Sequence, residues 1–148
     1  MSFIPEAKFE HETIQDFQDG ECIFEEGDSG RDLYIVQRGC VRIMKKTNSG
    51  SIVIIEFEKG EFFGEMALLQ SLPRSAGAFS KGDTRLLILK QAGFLMKIRR
   101  DPTFAFEMLQ QMSLRMKTST DQLFEVLNRC HLPLQEIQEI LRAVGEKL

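Results

Sequence analysis

Histidine, cysteine and net positive charge are all in short supply in this chain, and each shortage narrows what it does. Only His11 and His131 occur in 148 residues. Neither has a Cys or Asp at a spacing that builds a metal site or a nucleophilic triad, and no P-loop or nucleophile elbow is present. The expectation is therefore a protein that is not an enzyme, with no catalytic residues, no metal and no cofactor. Cys22, Cys40 and Cys130 are odd in number and far apart. They fit neither a disulfide framework nor a CxxC metal site, and read as small buried or half-buried thiols in a reducing cytosol. A net charge of −3 supplies no global field for nucleic acid. No apolar run approaches the roughly 20 residues that cross a bilayer. The opening MSFIPEAKFEHE lacks the basic-then-apolar order of a secretory signal. A cytoplasmic location, with no membrane partner, is expected. The length allows one domain, or one domain with an appendage, and 43% apolar residues suffice for a real core.

What is present falls into two regimes. Nine of the eleven glycines lie between Gly20 and Gly82, which marks that region as turn-rich. Short β-prone runs lie among them at Cys22–Phe24, Leu33–Val36, Val41–Met44, Ile52–Phe57 and Arg85–Leu89. Many short strands broken by glycine turns predict a mainly β region, a jelly-roll-like β-barrel or sandwich, and Thr47-Asn48-Ser49-Gly50 is a hairpin turn within it. After Gln91 the pattern becomes helical. Gly93–Arg100 reads as a short helix ending at Asp101-Pro102. Thr103–Cys130 then runs without Gly or Pro. Ala105, Leu109, Met112, Met116, Ser119, Leu123, Val126 and Cys130 recur at alternating spacings of four and three, a heptad seam. A stripe that narrow favours a helix paired with its copy in a homodimer over an amphipathic helix lying on its own barrel. After His131-Leu132-Pro133, residues Leu134–Leu148 form a short amphipathic helix whose Gln- and Glu-rich polar face disfavours a membrane surface. The expected organisation is a β-barrel with flanking short helices over residues 1–102, a long C-terminal dimerisation helix over 103–130, and a short terminal helix over 131–148.

The most informative stretch is Phe62–Ala78, FFGEMALLQSLPRSAGA. Gly64 permits a tight turn with close backbone approach. Glu65–Leu69 can form one helical turn whose free N–H groups and positive end favour an anion. Arg74 supplies a guanidinium fork suited to phosphate, and Ser75 a hydroxyl donor. Glu65, as a carboxylate, only accepts hydrogen bonds and so suits a hydroxyl such as a ribose 2′-OH. An anion site beside a hydroxyl site describes the sugar-phosphate of a nucleotide. The bland alternative is that Glu65 and Arg74 merely pair with each other across a loop.

The full pattern weighs against that alternative. Phe63-Gly64-Glu65-Met66-Ala67-Leu68-Leu69 and Pro73-Arg74-Ser75-Ala76 resemble the phosphate-binding cassette of the cyclic-nucleotide-binding domain family, which includes the sensor domains of bacterial catabolite activators and of protein kinase A regulatory subunits. Phe24-Glu25-Glu26-Gly27-Asp28, Leu33-Tyr34-Ile35-Val36, Gly39 and Val41 resemble that family's opening strands, and the similarity covers roughly Phe17 to Asn128. The resemblance implies that Glu65 takes the ribose 2′-OH. It implies that Arg74 and Ser75 hold the cyclic phosphate, with backbone N–H groups around Glu65, Met66 and Ala67. In the bacterial activators two adjacent hydroxyl residues of the dimer helix contact the base. Aligned through Asp101-Pro102, these are Ser119 and Thr120, with Arg115 one turn earlier and directed toward the pocket. Ser119 is also the polar break in the seam, for which a tolerated small residue is an equal explanation.

Two departures stand out. Gly77 replaces a larger residue and is expected to loosen the pocket wall near the base. The chain also ends at Leu148, where the activators continue into a helix-turn-helix, so direct DNA binding is not expected. The resemblance implies a sensor, dimeric and ligand-responsive, that acts on a separate effector protein. cAMP is favoured because Ser119 and Thr120 can pair with an adenine amino group, and cGMP is left open. The alternative is a degenerate fold that binds no nucleotide and serves as a dimeric interaction module.

Overall fold

The structure is a computed structural model and describes residues 11–146. In chain order the elements are β1 (Glu12–Phe17), β2 (Cys22–Phe24), β3 (Leu33–Thr47), β4 (Gly50–Glu58), β5 (Phe62–Phe63), α1 (Glu65–Gln70), β6 (Gly77–Leu89), α2 (Gln91–Arg100), α3 (Pro102–Arg129) and α4 (Leu134–Gly145). They fall into two compact units divided after Ala105, within α3.

The first unit is built on two long strands. β3 and β6 pair antiparallel, β1 and β2 join β6, and β4 and β5 join β3. This corrects the expected jelly-roll-like barrel or sandwich. The main path of the six-stranded sheet runs β1-β6-β3-β4, its end strands β1 and β4 do not pair, and the sheet is not closed. Several expected short strands are pieces of longer ones. Leu33–Val36 and Val41–Met44 both belong to β3, and Arg85–Leu89 is the last third of β6. The cause is local. Gly39, which reads as a turn glycine, adopts φ 87° inside the second of two register shifts of the β3–β6 ladder, between Arg38 and Cys40, where it forms a bulge in place of a turn. A Cβ there would lie 2.4 Å from the Asp83 carbonyl oxygen and 2.7 Å from Thr84 Oγ1. The buried Thr84 hydroxyl donates to the Cys40 carbonyl at 2.9 Å and ties the bulge to β6. The Thr47–Gly50 turn does form: the two residues pair across the β3–β4 hairpin, and the Thr47 hydroxyl donates to the Gly50 carbonyl at 2.7 Å.

Apolar residues from all the longer strands and from β5 bury between the sheet's inner faces: Phe17, Tyr34, Val36, Val41, Phe57, Phe63, Ala78 and Leu86. Burial at this density supplies the main stabilising term of the unit. The second unit is different. In α3 it buries Met108 and Leu127, and α4 buries no residue. Much of the apolar seam of α3 is open, with Leu109, Met116, Leu123 and Val126 all exposed. The cysteines also depart from expectation, since Cys22 and Cys130 are exposed and only Cys40 is half-buried. No helix among the described residues is long and apolar enough to cross a membrane.

Candidate functional site

A cavity of about 140 Å³ opens in the first unit between the cassette and the β3–β4 hairpin. Gly64, Glu65, Met66, Ala67, Arg74 and Ser75 all line it. α1 begins at Glu65 because Gly64 turns the chain with φ 84° and ψ 7°, a left-handed conformation open to glycine at little cost. Space makes the same demand: a Cβ on Gly64 would lie 2.8 Å from Arg74 Nη1 and 2.8 Å from the Asp32 carbonyl oxygen.

Arg74 is the centre of the arrangement. Only 4% of it is exposed. Nη1 donates to the Gly64 carbonyl at 3.1 Å and Nη2 to the Asp32 carbonyl at 3.0 Å. The guanidinium carbon lies 4.2 Å from the centroid of the Phe24 ring, a cation–π contact. Nε is buried and has no hydrogen-bond partner among the described residues. Two neutral carbonyls and a ring face therefore hold a buried cation with one donor unused. Such a group is costly to bury alone and is relieved by an anion. Its backbone is fixed as well: the Arg74 N–H donates to Asp28 at 2.8 Å, and its carbonyl accepts from Gly27 at 2.8 Å. Ser75 is exposed, with its hydroxyl 3.9 Å from Met66 Sδ. Glu65 is half-buried at the first position of α1.

Beneath these polar groups lies a floor of rings that sequence reasoning did not assign to the site. Tyr34 stacks on Phe63 at 5.0 Å, Phe57 stacks on Phe63 at 5.9 Å, and Phe24 tilts against both Tyr34 and Phe63. Burial pushes the Tyr34 phenol above its usual pKa. Phe24, Phe57, Ile43 and Ile55 also line the cavity. Their apolar alternation is legible in the sequence, but which face of each strand looks into the cavity is not. Gly77 proves not to be part of this wall. It is buried where a Cβ would meet the Phe79 ring at 2.8 Å, and it lines a different cavity with Met44 and Phe79. The Phe79 ring takes up the room that a larger side chain at 77 would use.

The remaining candidates lie on α3, in the second unit. Arg115 is half-buried and its Nη2 donates to Gln111 Oε1 at 3.4 Å. Ser119 is exposed. The Thr120 hydroxyl donates to the Met116 carbonyl at 2.9 Å.

Residues 14–101 match the model of the cyclic nucleotide-binding domain. The chain belongs to that family. It is 36% identical over 102 residues to the cyclic AMP receptor protein of Thermus thermophilus, covering 68% of this chain and 47% of that protein. Over 82 residues it is 35% identical to the cAMP-dependent protein kinase regulatory subunit of Yarrowia lipolytica, covering 55% of this chain and 21% of that protein. Among solved structures, the Thermus thermophilus catabolite activator protein superposes with a TM-score of 0.67 at 34% identity, over 79% of this chain and 55% of that one. The chain thus spans about half the length, or less, of the curated relatives it matches. The cyclic nucleotide-binding domain is a regulatory binding module, not a catalytic one. Among the described residues no group of three or more His, Cys, Asp or Glu side chains could hold a metal ion.

Proposed function

We propose that this cyclic nucleotide-binding domain senses cAMP and passes the signal, as a homodimer, to a separate effector protein. The observation that carries the ligand assignment is the buried Arg74 guanidinium, lined up beside the cavity with Nε unused. Arg74 and the Ser75 hydroxyl hold the cyclic phosphate, together with first-turn N–H groups near Met66 and Ala67 that a helix leaves without internal acceptors. Glu65 accepts from the ribose 2′-OH.

By the family resemblance, Ser119, Thr120 and Arg115 are the α3 candidates for contacting the base. Thr120 favours adenine over guanine for a reason in its own hydrogen bond. Its proton goes to the Met116 carbonyl, so it offers lone pairs to its surroundings. Adenine presents a donor amino group at position 6, where guanine presents an acceptor oxygen. The homodimer is supported by the open seam on α3, because a 28-residue helix with exposed Leu109, Met116, Leu123 and Val126 leaves a stripe that a second copy fits. Ligand shifts the equilibrium between two states of the domain only through a difference in affinity for them.

Isothermal titration of the purified chain with cAMP and cGMP tests this reading. We expect cAMP to bind more tightly than cGMP, and Arg74→Ala to abolish binding of both. Absence of binding below roughly millimolar, or full retention by Arg74→Ala, overturns the reading and leaves a dimeric module without a ligand.

A further inference from the structure

Lys45 had no role in the sequence reading, yet it is tied to the anion grip. It sits on β3, at the hairpin end, thirty positions from Ser75 in the chain. Its ammonium donates to the Ser75 carbonyl at 2.5 Å. The same nitrogen pairs with Glu26 Oε1 at 3.1 Å. The other Glu26 oxygen accepts the Lys46 backbone N–H at 3.0 Å. One carboxylate thus spans a side chain and a backbone group of adjacent β3 residues and aims the ammonium at the backbone of the cassette.

These contacts close a frame. Glu26 belongs to the turn after β2, and its neighbours Gly27 and Asp28 hold both backbone groups of Arg74. That turn therefore fixes Arg74 directly and fixes Ser75 through Lys45. The Arg74 side chain is separately anchored by Gly64 and Asp32. Ser75 has no such side-chain anchor. It is exposed, and its hydroxyl makes only a long contact to the Met66 sulfur. Of the two residues in the grip, Arg74 is anchored through both its backbone and its side chain, whereas Ser75 is tied down through its carbonyl by Lys45.

We propose that Lys45 and Glu26 form a latch that positions Ser75 for the anionic group of the ligand. Lys45 acts as a positioning residue and need not touch the ligand. The ion pair itself is partly solvated and contributes little to folding stability. Its effect is on geometry, since a donor held in place before the ligand arrives binds without an ordering cost. The hydrogen-bonded carboxylate also stays ionised at lower pH than an ordinary glutamate, chiefly through the Lys46 N–H and then through Lys45.

The inference rests on the reading of this site as a cyclic nucleotide site, and the experiment separates the two. Affinity for cAMP and the ligand-free thermal midpoint are measured on the full chain for wild type, Lys45→Met, Glu26→Gln, the double variant and Lys45→Arg. We expect Lys45→Met and Glu26→Gln each to weaken binding about tenfold, the effect of one charge-assisted hydrogen bond. The double variant should be no weaker than the weaker single one, because both act through one contact. Lys45→Arg should restore most of the affinity, and the ligand-free midpoints should stay together. Wild-type affinity in Lys45→Met, losses that multiply in the double variant, failure of Lys45→Arg to rescue, or a midpoint that falls in step with affinity each overturns the latch. If wild type itself binds no cyclic nucleotide, the functional reading fails and the latch falls with it. If wild type binds and the variants bind equally, the latch alone fails.

Discussion

At the scale of single residues, Gly64 and Arg74 form one device. The glycine is required by its left-handed backbone and again by the guanidinium packed against its α-carbon. Gly64→Ala should therefore act on the site and on the fold together. We expect it to destabilise the ligand-free protein by about 1–3 kcal/mol, the usual range for backbone strain, and to displace Arg74 enough to abolish cAMP binding. Thermal unfolding and titration on one preparation read both effects. Arg74 was legible in the sequence because its neighbours spell a cassette. Its restraint was not, since Asp32 and Phe24 lie over forty positions away in the chain and offer a backbone carbonyl and a ring face. Carbonyl acceptors are invisible to a reading of side-chain types, because every residue carries one. Lys45 was missed for the same reason, since its main partner is the carbonyl of Ser75.

At the scale of elements, α3 and β4 both leave apolar surface uncovered. On β4, the run Ile52–Ile55 is exposed along an end strand of the sheet. On α3 the open apolar residues include Leu109, Met116, Leu123 and Val126 of the heptad seam, with Phe106, Leu114 and Phe124 open off it. We expect the chain to run as a dimer in light scattering, and Leu109→Glu with Met116→Glu to convert it to a monomer, because like charges placed in a seam are strongly disfavoured. Cys130 lies at the last seam position and is exposed, so mild oxidation of an in-register parallel dimer should join two chains through it. Cys130→Ser should prevent that link. A dimer that survives the double glutamate variant would mean a different interface. The starts of α3 and α4 were readable because Pro102 and Pro133 mark them, whereas α2 begins at Gln91 and carries Gly93 inside it. Strand spans were less so, since the glycine at 39 bends β3 without ending it.

At the scale of the whole molecule, ligand binding should appear as stability. A ligand held only by the folded state adds about 2.7 kcal/mol at a concentration one hundred times its Kd. The thermal midpoint of wild type should therefore climb steadily with added cAMP, and that of Arg74→Ala should not move. A flat wild-type midpoint at millimolar cAMP would argue for the ligand-free module.

The sequence by itself determined the family, the cassette and the long helix. Each of these is written in residues close together in the chain, where spacing and side-chain chemistry act directly. The tertiary structure decided what depends on distant partners. The sheet stays open because β1 and β4 do not pair, and no local pattern records which strands become the ends. The ring floor under Arg74 and the Lys45–Glu26 pair beside Ser75 arise the same way. Each is a contact across many residues of chain, made possible only once β3 and β6 have set the distances between them.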